Sequence, residues 1–519
     1  MTECIKTGSE EIRARPLLLD TAIFLVFIDN NAVMVDKTSL IRDLFNSPTR
    51  TFFLSRPRRF GKTLLIDTIK NIAEGHKTLF RDMDIGKEGS GYAWDPYPVI
   101  RFSFSSFPRD PEMFKRRFLI TLDNIAELHG LSIRPAQDIS DIQDIIKQIS
   151  KQHPVGQSAN RQPSMNTYPL NTVLLIDEYD FPLLGNIGNP DKIFKIREML
   201  QEFYSTIKEC ENMLRLTFIT GISKFSKLSI FSGMNNIVDI SFDPHYSSIC
   251  GFTEKEIEKN FHDNIISILP GMEKEGYFEP NPTKKTFMEK LKFWYDGYSW
   301  DGTNKVFNPF SVVNCLYHKE FNHYWYDSGT SLASYRYSLL PETFINLFAH
   351  NLKTADFKPV SDINALNNES FLFQTGYATI DQIIKQGTTK YYVLKCPNNE
   401  ISFALSQTFV HIDSPFPGLH GSIIDNFSHF VDLFDMSDDD QCANIFSSLL
   451  EFSIPSLHYP DEYTLQSLLF ILLNMTDFRA RREPYSGDGR PDIVYDSPSG
   501  FSTVVEIKYH KPRHPEKVP

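Results

Sequence analysis

The sequence predicts a mixed α/β protein: a parallel-sheet core with a phosphate-binding loop, a helical region after it, and a small α/β piece at the C-terminus. Three observations carry this expectation. The strand signal at 51–54 runs into Ser55-Arg56-Pro57-Arg58-Arg59-Phe60-Gly61-Lys62-Thr63, and 64–72 follows with apolar positions at helical spacing. The run Val173-Leu174-Leu175-Ile176 ends in Asp177-Glu178. Acids at the carboxyl end of a buried strand lie where a parallel α/β sheet places its ligand crevice. Near the C-terminus, Asp492 and Glu506-x-Lys508 fall on two short strand signals joined by a turn at Pro498-Ser499-Gly500.

Composition bounds the class. A chain of 519 residues, 41 % hydrophobic and 23 % charged, suits a globular protein with a sizeable core, and its length allows about two to four domains. A formal net charge of −12 argues against general coating of nucleic acid and leaves room for a local basic patch. The cysteines (Cys4, Cys210, Cys250, Cys315, Cys396 and Cys442) lie far apart with no C-x-x-C pair, which disfavours zinc and suits a reducing, cytoplasmic setting. The apolar stretch 17–28 is interrupted by Asp20, and 468–473 is too short to cross a bilayer, so no membrane partner is expected.

The elements follow in order. Residues 24–28 and 33–35 flank Asp29-Asn30-Asn31 and read as a small hairpin. A helix is expected over 39–45, with Thr38 or Ser39 as its N-cap. Residues 99–104 alternate as a strand and 113–129 are helical by period. Residues 151–169, rich in Gln, Ser, Asn and Pro, read as an exposed loop. A further apolar run, 216–219, ends in Thr220-Gly221. From 251 to 350 helices dominate, with Thr253 and Glu256 as a capping box. Trp294, Tyr295, Tyr298 and Trp300 form an aromatic cluster whose expected role is core packing rather than base stacking. Strands around a Gly387 turn and helices over 423–433 and 442–452 complete a connector.

The chemistry follows from residue types. Gly61-Lys62-Thr63 opens a helix whose first N–H groups and dipole favour an anion. Lys62 would reach the β- and γ-phosphates, and the Thr63 hydroxyl would help hold Mg²⁺. Arg59, Phe60, Gly61, Lys62, Thr63 and Leu64 are the expected nucleotide contacts, with Asp177 on Mg²⁺ and Glu178 as the base that polarises water. Thr220 is the candidate sensor of the γ-phosphate, with Ser223 and Lys224 as alternatives. The loop departs from G-x-x-x-x-G-K-[ST], since Arg56 stands at the first glycine and Pro57 removes a donor. Added charge against a triphosphate and pairing with Asp177, Glu178 or Asp180 both account for Arg56, Arg58 and Arg59. A strand lying in the chain between the loop strand and the acidic strand suggests a P-loop core of the additional-strand ATPase class.

The stretches Val35-Asp36-Lys37-Thr38, Phe53 to Thr63, and Leu175-Ile176-Asp177-Glu178-Tyr179-Asp180 resemble the AAA-ATPase-like family. Thr220 to Ser226, Ser229 to Asn236, Tyr295-Asp296-Gly297-Tyr298 and Asn308-Pro309-Phe310-Ser311 fit the same pattern. The family carries Arg-Pro-Arg-Arg-Phe-Gly-Lys in this loop, so Arg56 does not predict a dead site. The resemblance implies an ATPase module (1–250), a helical lid (251–350), a connector (351–450), and a C-terminal PD-(D/E)XK nuclease-like domain (451–519). It implies ATP and Mg²⁺ as cofactors, DNA as a candidate partner, and a homo-oligomer as a candidate assembly.

At the C-terminus, alternate residues of a strand share a face, so Glu506 and Lys508 point the same way. With Asp492 on the adjacent strand they form a two-carboxylate, one-lysine cluster able to bind Mg²⁺ and activate water near a phosphodiester. The resemblance adds Glu483 as a metal ligand, with Glu462 as a further candidate. The chain ends at Pro519, soon after Lys508, so the nuclease-like fold is expected to be truncated. Two functions stand: ATP hydrolysis coupled to a DNA-directed nuclease-like domain, or a nucleotide-dependent switch whose C-terminus only binds nucleic acid or a protein partner.

Overall fold

A computed structural model of the chain describes residues 14–152, 171–223, 230–231, 234, 236–327, 347, 352–355, 368–405, 466, 469–470, 473, 479–482, 492–496 and 502–508. The chain divides into two compact units: Met1–Phe321 with Ala355–Tyr392, and Asn322–Thr354 with Val393–Pro519. Among the described residues no helix is long and apolar enough to cross a membrane.

The first unit is built on β1 (Thr51–Ser55), β2 (Val99–Ser103), β3 (Thr172–Asp177), β4 (Leu214–Gly221) and β5 (Val238–Asp239). They form one sheet in the order β2-β3-β4-β1-β5, and every neighbouring pair is parallel. β1 and β3 are buried along their whole length, as continuous apolar strands covered on both faces are. The strand that separates the loop strand from the acidic strand is β4, whereas β2, which lies between them in the chain, pairs with β3 at the sheet edge. Chain order alone does not give spatial order, because parallel strands need crossovers that can skip positions.

Helices α1 (Phe24–Asp29) and α2 (Thr38–Asn46) precede the sheet, and the crossovers between its strands carry α3 (Lys62–Ala73), α4 (Pro111–Leu128), α5 (Ile142–Gln152), α6 (Phe181–Leu184) and α7 (Pro190–Glu209). Asp110 caps α4 through the N–H groups of Glu112 and Met113, with Pro111 in the first turn. α5 places Ile142, Ile145, Ile146 and Ile149 at helical spacing, all fully buried, each worth about 1.5–3 kcal/mol of burial. They share a core with Phe102, Phe104, Phe118 and Phe203.

Two local expectations are corrected. Residues 24–29 form a helix, not the first arm of a hairpin. Phe24 and Phe27 share a buried face, the Phe24 ring stacks on Phe80 at 4.6 Å, and the Phe24 N–H donates to Asp67 Oδ2 at 2.8 Å. These distant partners override the β-favouring composition. The N-cap of α2 is Lys37, not Thr38 or Ser39, and it makes no side-chain cap bond; Asp36, one residue earlier, accepts at Oδ1 from both the Thr38 N–H (2.8 Å) and the Thr38 hydroxyl (2.7 Å).

After the sheet come α8 (Glu254–Asn260), α9 (His262–Lys274), α10 (Lys284–Tyr295) and α11 (Pro309–His318). The Thr253–Glu256 capping box forms. Tyr295, Tyr298 and Trp300 are buried, which makes the aromatic cluster core. Strands Thr379–Gln386 and Thr389–Lys395 flank Gly387, whose φ of +61° suits glycine in the turn.

In the second unit, strand Ile493–Asp496 pairs antiparallel with both Arg479–Arg482 and Ser502–Val505. The expected helices at 423–433 and 442–452, most of the loop at 151–169, and Lys224, Glu462 and Glu483 lie outside the described residues.

Candidate functional site

The candidate site lies at the carboxyl ends of β1, β3 and β4, where a parallel sheet opens its crevice. The loop leaves β1 at Ser55 and turns through Arg59 (φ +65°) and Gly61 (φ +85°) before α3 begins at Lys62. A glycine at position 61 takes the left-handed conformation at no steric cost, and space for a side chain there is open. Gly61 thus brings the bare start of α3, with its unpaired N–H groups, to the mouth of the crevice.

Lys62 is 6 % exposed and folds back onto the loop, donating from Nζ to the carbonyls of Arg56 (2.9 Å) and Pro57 (2.8 Å). Burial pulls its pKa below the usual lysine value, and the charges of Glu178 and Asp177 oppose that shift. Thr63 and Leu64 are half-buried on the first turn of α3. The Phe60 side chain faces inward, edge-on to Tyr298 (4.8 Å) and Trp300 (5.5 Å), so only its backbone remains for a ligand. The Arg59 guanidinium lies 4.8 Å from the centre of the Phe310 ring.

Arg56 answers neither expectation for it. Its guanidinium is buried and donates to the carbonyls of Ser55 (2.8 Å), Ser241 (2.9 Å) and Tyr246 (3.2 Å) while lying 4.0 Å from the centre of the Trp300 ring. Burial lowers its pKa to about 10. The first position of the loop carries an internal strut, which nothing in the sequence pattern indicated.

Across β4, Asp177 ends β3 at 1 % exposure and accepts a hydrogen bond from the Thr220 hydroxyl at 2.7 Å. Thr220 therefore touches the acidic strand directly. Glu178 is a non-glycine residue at φ +53°, a conformation costing about 1–3 kcal/mol that tends to cluster at functional sites. Burial raises its pKa, the Lys62 charge lowers it, and Asp177 raises it further. Lys62 and Glu178 thus feel each other's charge, and both feel that of Asp177.

Sequence reasoning missed Asp180 as a supporting residue. Its buried Oδ2 accepts from the Ile222 N–H (3.0 Å), the Ser223 N–H (2.6 Å) and the Ser223 hydroxyl, and the Tyr179 hydroxyl donates to the Ser223 carbonyl at 2.9 Å. These bonds tie the segment after β4 to the end of β3. Asp180→Ala is expected to orphan both N–H groups at about 1–3 kcal/mol each, read as faster amide hydrogen exchange at Ile222 and Ser223. Asp180→Asn, which keeps an acceptor oxygen, should cost less.

In the C-terminal sheet, Asp492 Oδ2 accepts from the Ile507 N–H at 2.6 Å, which sets Asp492 beside the strand end bearing Glu506 and Lys508. Glu506 and Lys508 are both exposed and form a 3.3 Å ion pair. Among the described residues no group of three or more His, Cys, Asp or Glu is arranged to hold a metal ion.

A five-stranded parallel sheet with a glycine-hinged loop at one strand end and paired acids at another is consistent with a P-loop-like core. Residues 20–231 match the family model described as "Predicted AAA-ATPase", so this part of the chain is similar to AAA-ATPase-like domains. The chain is also 31 % identical over 382 residues to an uncharacterised protein encoded in the vnfD 5′ region of Azotobacter chroococcum mcd 1. That alignment covers 72 % of this chain and 66 % of the relative, so the chain spans just under two thirds of the relative's length. No solved structure matches.

Proposed function

We propose that the chain binds and hydrolyses ATP with Mg²⁺ at the β1–β4–β3 strand ends. The observation that carries this reading is the approach of Lys62, after β1, to the Asp177–Glu178 pair at the end of β3, one strand away in the same parallel sheet. Lys62 would exchange the carbonyls of Arg56 and Pro57 for β- and γ-phosphate oxygens. Thr63 and Asp177 offer the oxygen donors that Mg²⁺ prefers, and Mg²⁺ when bound there would neutralise phosphate charge. Glu178, its proton affinity raised by burial, would hold and deprotonate the attacking water. Thr220, bonded to Asp177, would register the γ-phosphate.

The C-terminal sheet is proposed as the DNA-directed element, with Asp492 and Glu506 as metal ligands, Lys508 beside the nucleophile, and Glu483 as the further acid. The placement of Asp492 against the Ile507 N–H favours it. Further copies of the chain are proposed partners in a homo-oligomer. Plasmid and linear single-stranded DNA, incubated with Mg²⁺ or Mn²⁺ with and without ATP, test both halves in one set of tubes. Cutting that vanishes in Lys508→Ala establishes the nuclease-like function. ATP turnover without cutting leaves the switch reading, and no turnover above the Lys62→Ala level removes the ATPase.

A further inference from the structure

The loop strut identified above sits between the phosphate site and a segment that no reading of the ATPase core requires. Arg56 holds the place of the first glycine in the general motif. Its backbone N–H donates to the Gly221 carbonyl at 3.1 Å, which prolongs the β1–β4 pairing into the loop. Its side chain runs the other way, into the interior, to the Ser241 and Tyr246 carbonyls and the face of Trp300. Two other loop residues reach the same segment, Phe60 packing on Tyr298 and Trp300 and Arg59 lying over Phe310. The segment itself is pinned by reciprocal backbone bonds between Tyr298 and Val306, and by the Phe307 N–H to the Phe252 carbonyl at 2.7 Å.

The same residue also faces the ligand side. Its carbonyl accepts the Lys62 ammonium at 2.9 Å. A phosphate that draws Lys62 away removes a charge-assisted bond from the Arg56 peptide, while the guanidinium of that residue remains stacked on Trp300. Rotatable bonds separate the Arg56 peptide from its guanidinium, and burial restrains them. Resting on the ATP-binding reading, we propose that Arg56 is a positioning residue that links occupancy of the phosphate site to the Tyr298–Phe310 segment through Trp300. A merely structural arginine would hold the loop without registering the ligand.

The Trp300 indole supplies its own readout. Intrinsic fluorescence of the full chain is titrated with ATP and Mg²⁺, and binding is measured in parallel by calorimetry. Wild type should show a fluorescence change that saturates with binding. Trp300→Phe, which keeps a ring under the guanidinium, should still bind ATP and lose that change. Arg56→Gly restores the general motif, yet it should weaken ATP binding about tenfold or more, because three hydrogen bonds and a cation–π contact are lost. Arg56→Lys, which keeps the charge without the fork, should fall between the two and guards against misfolding of the glycine variant, with circular dichroism of each as the check. ATP binding in wild type with a fluorescence change that survives in Trp300→Phe, or with none at all, overturns the link, as does Arg56→Gly binding as tightly as wild type. Absence of ATP binding to wild type is a separate result, which removes the nucleotide reading on which the link rests.

Discussion

Lys62→Ala is expected to lower ATP turnover by at least about 10²–10³-fold, the range seen when one preorganised donor to developing charge is removed. The loss should come without a loss of fold. The ammonium is almost fully desolvated, and its partners are the carbonyls of its own loop, Arg56 and Pro57. Deleting a buried charge removes its desolvation cost together with its bonds, so thermal unfolding should shift little. A variant that is folded, inactive and weakened in ATP binding places the phosphate on Lys62. Full turnover in Lys62→Ala would mean that this loop is not the phosphate site.

Glu178→Gln should reduce the hydrolysis rate by about 10²–10⁴-fold, the usual contribution of general acid–base catalysis, while ATP still binds. Glutamine keeps the shape and the strained turn but has no basic oxygen to accept the proton of water. Bound ATP should therefore accumulate on the variant, measured as unhydrolysed nucleotide retained after rapid gel filtration. The pH profile adds a second check. Burial raises the Glu178 pKa, so the base is lost by protonation at a higher pH than for an ordinary carboxylate. The acid limb of kcat/KM in wild type should lie above the ordinary carboxylate range of about 4.3. The alkaline limb should begin below the ordinary lysine value, because burial lowers the pKa of Lys62. In Glu178→Gln the acid limb should disappear from the residual rate. Unchanged turnover in the variant would move the base elsewhere.

The legible parts were those set by local pattern. Continuous apolar strands at 51–55 and 172–177, an amphipathic helix at Pro111–Leu128 and the Thr253–Glu256 capping box all form where the pattern puts them. Each depends on neighbours a few residues away, so period and cap chemistry suffice. The Gly61-Lys62-Thr63 and Asp177-Glu178 stretches were equally visible, since a loop and a strand end announce themselves by residue type.

What escaped the sequence depended on partners far along the chain. Residues 24–29 became a helix because Phe24 found Phe80 and Asp67. Arg56 read as a charge for the ligand or for the nearby acids, and instead found the carbonyls of Ser241 and Tyr246 and the ring of Trp300. Asp180 read as a neighbour of the acids and became the acceptor that fixes Ile222 and Ser223.

The sequence by itself determined which residues could do chemistry: a glycine-hinged loop with its lysine, a strand ending in two carboxylates, and the strands and helices that carry them. Only the tertiary structure decided that β4, not β2, stands between the loop strand and the acidic strand, that Thr220 meets Asp177, and that Arg56 points inward. The physical reason is that strand order, buried-charge pairing and side-chain direction are settled by desolvation and packing among segments up to 190 residues apart, which local pattern does not encode.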